Sequence, residues 1–412
     1  MLITKQLVLK LFEGFSIERW TDLVRPFELI ETDKSGEKMV IAYLLAKFEE
    51  NKGHVIDWDY LMYASLFEFL KKIALCDIKS PLLRRIKNEY PQEYSSLNDW
   101  VLSRYKDILT DNDLFQRFSD YIHAQNEKKH TQSLTARIFT AAHKYSALRE
   151  FEMLATVNES FRLKSIEREL NNDIQPYLDL EGLQLLMTKQ KPYEFLMIVE
   201  RLRFQIRWNQ TPRVPKTTVL GHAFFVAIVS FLLTLQSEQY CKKQNKQFAF
   251  CPKRLYNNYF SALFHDLPEA VTRDIISPVK QATDTLSAIV KKIEIKMIED
   301  ELLPLTEDFY ATELMYFTDD EFSNRIFTNN TTRHVTFDEL NNLYNKDEFS
   351  PTDGKLIRCA DHIAAFIEAD SSIRHGITSQ QLTEGRKKLL KLYPQGHIIN
   401  GFNAHAFFSD FL

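Results

Sequence analysis

Apolar side chains recur three and four residues apart through most of this chain, the spacing that lays them along one face of a helix. That pattern predicts helices over 60–75, 135–154, 193–208, 222–235, 255–271 and 355–369. A run of strong helix formers predicts another over 37–48. The longest apolar run, 223–235, is interrupted by Ser230 and Thr234 and is too short to cross a bilayer, so it is expected to be a buried core helix. Period-two alternation is scarce. Threonine and other β-branched residues cluster only near 327–337, where a short hairpin is expected. The expected fold class is all-α.

Composition narrows this picture. Only 10 of 412 residues are Gly, and no G-x-G-x-x-G or G-x-x-x-x-G-K-[ST] occurs, so loops that cradle phosphate on glycine backbone are excluded. A hydrophobic share of 44% is ample for sizeable cores. The net charge of -4 gives no basic footprint, so neither nucleic acid nor a membrane is an expected partner. Cys76, Cys241, Cys251 and Cys359 show no C-x-x-C spacing, which suits a reducing cytoplasm. The start, Met1-Leu2-Ile3-Thr4-Lys5 followed by Glu13 and Glu18, lacks a signal-peptide pattern. Asn-Asn-Asp and Pro176 within 171–190 suggest a boundary between lobes 1–175 and 176–412. The acidic, Asn-rich stretch 317–351 reads as an insertion or mobile loop.

The chain also repeats itself. Residues 66–81 align without a gap with 263–278, and seven of the sixteen positions are identical, ending in Asp-Ile-x-Ser-Pro. Arg19-Trp20 and Arg207-Trp208 precede the two copies. Between pair and motif, Gly36-Glu37 matches Gly221-His222; downstream, Ala142-His143 matches Ala360-Asp361.

Only the second copy carries a metal-ligating set: His222, His265, Asp266 and Asp361. An adjacent His-Asp at a helix end can aim one imidazole nitrogen and one carboxylate oxygen at the same point. Burying that pair among Leu263, Phe264 and Leu267 is costly unless a cation compensates. Two nitrogens and two oxygens suit a single Mn, Fe, Co, Ni or Zn ion better than Ca. His362 follows Asp361 directly, and consecutive helical side chains diverge by about 100°, so it is expected to point elsewhere.

The segment from His265-Asp266-Leu267-Pro268-Glu269 to Asp274 and Ser277-Pro278-Val279-Lys280, with Arg207 fifteen residues before His222, resembles the HD-domain metal-dependent phosphohydrolases. It is most similar to their bacterial 5′-deoxynucleotidase branch, over roughly 193–370. The resemblance implies an HD helical fold with one divalent transition metal held by His222, His265, Asp266 and Asp361. It also implies that Glu269 handles the proton of the attacking water, from one helix face shared with His265. Arg207 would hold phosphate, Asp274 would contact the sugar or the leaving oxygen, and Lys280 is a further phosphate candidate. The implied substrate is a (deoxy)nucleoside 5′-monophosphate or similar phosphate ester. Deoxynucleoside triphosphate or phosphodiester hydrolysis on the same site is the alternative, and a nucleotide-sensing or scaffold protein with a non-catalytic HD site is another. A homo-oligomer is compatible with all of these. Where the family has Glu-His-Ser, this chain has Gly221-His222-Ala223, which leaves the first His without polar neighbours in sequence. Lys216, Thr217 and Thr218 stand ready to line the pocket. In the first copy Glu37, Glu68-Phe69, Lys72 and His143 take the functional places, so that copy reads as a degenerate HD-like domain without metal.

Overall fold

The computed structural model describes residues 2–124, 133–273, 283 and 285–412. The fold is all-α, with a few short strands, and divides into two compact units, Met1–Leu180 and Glu181–Leu412.

The first unit is built on three helices, α1 (Glu31–Asn51), α2 (Trp58–Leu75) and α3 (Leu134–Ala155). Asp57 caps α2 by accepting the Tyr60 N–H, and Ser133 caps α3 by accepting the Ala136 N–H. Their packed faces bury Met39, Ile41, Leu66, Phe69 and Ile138 completely.

The second unit surrounds α4 (Val219–Gln244), which packs against α5 (Pro252–Phe264) and, further along the chain, against α7 (Gly354–Arg374); α6 (Asp308–Thr318) lies on α5. At 26 residues α4 is long and apolar enough to cross a membrane by length and composition, contrary to the expectation from 223–235. Its apolar stretch is nearly all buried within the unit, so it serves as the core helix. Thr218 caps it by accepting the Gly221 N–H.

Several boundaries differ from the sequence expectation. Helix does not continue from 193 through 208: it ends at Phe204, and Arg207 donates its backbone N–H to Thr217 instead. Trp208 adopts a φ of 56°. Helix also does not run from 255 through 271. It stops at Phe264, because Pro268 has no N–H for the helical ladder. A turn over 265–268 leads into a one-turn helix, Glu269–Thr272. His265 and Glu269 therefore do not share one helix face.

The hairpin lies at β1 (Asn324–Thr328) and β2 (Thr331–His334), three residues earlier than expected. Its turn residues Asn329 and Asn330 both have positive φ, the backbone a tight hairpin requires. The stretch 317–351 is not a loose insertion. Arg325 is fully buried and donates to the Ser261 hydroxyl and the Tyr316 carbonyl. Past β3 (Thr352–Asp353), helix α7 begins at Gly354, where a Cβ would collide with the Ser323 backbone. Buried Arg254 grips buried Asp353 through two bonds of 2.6 and 2.7 Å, fixing where α7 starts relative to α5.

One local arrangement occurs in both units. Arg19 and Arg207 give their N–H to Leu29 and Thr217; Glu31 and Val219 give theirs to Ile17 and Gln205. Trp20 and Trp208 have φ of 57° and 56°. Arg25 and Arg213 reach back to the carbonyls of Arg19 and Arg207. Each pair is 188 residues apart. That register puts Lys34, not Glu37, at the place of His222, and Asp33 at the place of Gly221. The match of Gly36 with Gly221 is off by three. Neither glycine has the positive φ that would have given the match a backbone meaning.

In the first unit Arg19 is held between Glu31, at 2.6 Å, and Glu150, which also accepts the Trp20 indole N–H at 2.8 Å. Burial would raise the Glu31 carboxyl, but the charges of Arg19, Lys72, Lys34 and Lys38 together outweigh it and bring the pKa from 4.5 down to about 2. A lowered carboxyl adds stability above its ordinary pKa and loses it as pH falls through the folded value. The first unit is therefore expected to lose on the order of 3 kcal/mol as pH drops from about 4.5 to about 2. Acid titration of the unfolding midpoint measures this, and Glu31→Gln should flatten that part of the curve.

Candidate metal centre

Four elements bring the sequence-predicted ligands together. Helix α4 supplies His222 in its first turn, where it is fully buried. The end of α5 supplies His265 and Asp266, and α7 supplies Asp361. The loop after Phe204 brings in Arg207.

His222 Nε2 lies 3.0 Å from Asp361 Oδ1 and 4.0 Å from Asp266 Oδ2. His265 Nε2 lies 3.2 Å from Asp266 Oδ1, while its Nδ1 lies 2.7 Å from the Ala262 carbonyl. That last bond makes Nδ1 the protonated nitrogen and leaves Nε2 as the lone-pair donor. The donor atoms of His222, His265 and Asp361 all lie within 4.8 Å of one another. Donors sharing one ion are separated by up to about 4.4 Å, given bonds of about 2.0–2.2 Å. The set fits a single divalent ion with a small contraction. Asp266 is not in that set of three: its Oδ1 approaches His265 and its Oδ2 approaches His222, and Oδ2 is also 3.4 Å from Arg207 Nη1.

The electrostatics favour charged oxygens here. Burial would raise the Asp361 carboxyl, but its hydrogen bond to His222 and the charge of Arg207 hold it well below the usual range. Burial and the Arg207 charge both work to lower the pKa of His222; bonds to Asp361 and Glu368 outweigh them and raise it. Arg207 is likewise opposed by burial, yet Glu368, Asp266, Asp361 and Glu269 keep it firmly charged.

Glu368 is the functional residue that sequence reasoning missed. Its side chain is 1% exposed. It lies 3.2 Å from His222 Nδ1, accepts the Trp208 indole at 2.8 Å and the Thr217 hydroxyl at 3.0 Å, and stands 3.4 Å from Arg207 Nε. Burial would raise its carboxyl, but Arg207, Arg213 and His222 hold it well below the ordinary range. It corrects the expectation that His222 has no polar support: the support comes from α7 rather than from positions 221 and 223. The signal was the repeat, since Glu150 and Glu368 each stand seven residues after His143 and Asp361, two turns along the same face.

Glu269 is buried after the 265–268 turn, its backbone carbonyl held by Gln205 at 2.9 Å. Thr217 belongs to the Glu368 network, Thr218 is the cap of α4, and Lys216 is exposed. His362 turns to the Tyr393 hydroxyl, 2.6 Å away, and takes no part. Asp274 and Lys280 lie outside the described residues.

Residues 199–390, just under half of the chain, match the family model of the HD domain. HD domains are in general metal-dependent phosphohydrolases, and His222, His265, Asp266 and Asp361 all fall within the match. No curated protein matches the chain.

Removing the charge that orients a metal-binding imidazole typically weakens metal binding about 10–100-fold. Glu368→Gln is expected to do so here with its helical circular dichroism retained, and Asp361→Ala to abolish stoichiometric binding. Equilibrium dialysis with elemental analysis reads both.

Proposed function

We propose that the second unit hydrolyses a phosphate ester of a nucleotide, in the first instance a (deoxy)nucleoside 5′-monophosphate, with one divalent transition metal. The observation that carries this reading is the convergence of two imidazoles and two carboxylates beside a buried, charged guanidinium. A divalent ion held there by His222, His265, Asp266 and Asp361 would acidify water and neutralise phosphate charge.

The chain's own groups supply the rest. Arg207 faces Glu368 through Nε and Asp266 through Nη1, both at 3.4 Å, which is long for a charge-assisted bond, ordinarily about 2.7–2.9 Å. Its guanidinium therefore keeps donor capacity that a phosphate oxygen can take up. Glu269 takes the proton of the attacking water and returns it to the leaving oxygen. The turn at Pro268 sets its approach, and Gln205 holds that turn. Asp274 and Lys280 remain candidates for the sugar and the phosphate, and no step here depends on them.

The test is product release from a panel of nucleotides with Mn, Co, Ni or Mg added. The intact chain should release inorganic phosphate from a monophosphate. Asp266→Ala should lose activity together with metal. Glu269→Gln should keep its metal and lower kcat by about 10²–10⁴-fold with KM little changed. Absence of turnover by the metal-loaded chain would overturn the reading, and release of triphosphate or of an opened diester would reassign the substrate.

A further inference from the structure

The first unit has a cavity where the second has its metal centre. Its volume is about 290 Å3, and Glu68 and His143, the counterparts of His265 and Asp361, line it. The chemistry there is reversed. Lys34 replaces His222 and Phe69 replaces Asp266. Glu68 is consumed internally, 3.0 Å from His143 and 3.4 Å from Lys38. Burial, and then the nearby Lys34 charge, push His143 down to about 3, so it is neutral near pH 7. A cation entering this place would meet ammonium groups rather than free donors.

The cavity wall carries five cationic side chains, Lys71, Lys72, Arg84, Lys87 and Lys144, against the single acid Glu68. Arg84 and Lys144 are balanced by Asp173 behind the wall. Lys71 donates to the neutral Tyr94 hydroxyl at 3.2 Å, and both Lys71 and Lys87 rest near the Tyr94 ring. Lys72, at the place of Glu269, makes no hydrogen bond or close ion pair among the described residues, though its charge acts on Glu31, Glu68 and Asp77. The crowding is visible in their acidity. Burial lowers Lys71 to about 8 despite Glu68, with Lys72 and Lys87 adding to the fall, and burial lowers Lys87 as well. A bound anion relieves such crowding. The remaining wall is aromatic and aliphatic, with Tyr60, Tyr121, Phe139 and Leu83. A small apolar cavity with convergent charges is the ordinary form of a small-molecule site.

We propose that this cavity binds a small phosphate ester carrying a planar ring, of nucleotide size, with its phosphate at Lys71, Lys72 and Lys87 and its ring on the aromatic wall. The first unit is then a binding module that exchanged a metal centre for an anion site. The proposal is independent of hydrolysis in the second unit.

Hydrogen exchange of the full chain, with a chelator present, tests it site by site. Millimolar adenosine 5′-monophosphate should slow exchange within residues 60–94, and inorganic phosphate should do so more weakly. Lys72→Glu should weaken the affinity, measured calorimetrically, at least about tenfold and remove that protection. Lys72→Gln should show a smaller loss with the same unfolding midpoint as the intact chain. Protection confined to 205–273, equal protection by inorganic phosphate, binding unaffected by Lys72→Glu, or no protection at all would each overturn the proposal.

Discussion

A buried carboxylate must be neutralised where it stands, and in the second unit that requirement falls on Glu368. Four groups meet it: the Arg207 guanidinium, the Trp208 indole and the Thr217 hydroxyl from the loop before α4, and the His222 imidazole from its first turn. Losing any one would leave charge or polarity stranded away from water, which is far costlier than an unmade surface contact. The loop before α4, the first turn of α4 and the middle of α7 are thereby held in one arrangement. The ligand geometry of His222 follows from that arrangement. So does the approach of Arg207 Nη1 to Asp266.

The first unit meets the same constraint with other residues at the places of the metal ligands. Arg19, Trp20 and Glu150 keep the corresponding bonds. The free edge of the guanidinium, which in the second unit faces Asp266, is capped by Glu31, where the second unit has Val219. Phe69, at the place of Asp266, could not have accepted it. One exchange removes a carboxylate from the pocket and another restores it in the wall, so the arginine stays satisfied. Lys34 stands at the place of the ligand His222 and Lys72 at the place of Glu269, so the sign of the charge there is reversed.

Much of this was legible in the residues. Helical spacing revealed the principal helices, and the ligands of the second unit were readable because His265-Asp266 and Asp361 sit in a motif whose residue types have few other uses. The failures have physical causes. Glu368 lies inside an apolar helix, and its importance depends on partners more than 150 positions away in the chain, such as Trp208 and Thr217. The register between copies slipped at Gly36 because identity of residue type was followed; backbone hydrogen bonds, which pair Lys34 with His222, follow spacing instead. The helix expected through Val271 failed because apolar periodicity carries past a proline that the backbone ladder does not. The stretch 317–351 looked loose because its anchors, Arg325 and Asp353, are charged residues, and charge is normally a surface signal.

The tryptophan that helps to neutralise Glu368 has a consequence of an optical kind. The chain has four Trp, and Trp20 and Trp208 are the two whose indole N–H donates to the carboxylate of their own unit's arginine network. Indole emission responds to the field along that N–H. Trp208 shares its acceptor with His222, so its colour carries the charge state of the imidazole across a single carboxylate. In the first unit Lys34 stands at the place of that imidazole. Burial lowers that Lys34 to about 7, so Trp20 sits beside a second ionisation and each unit carries its own lamp.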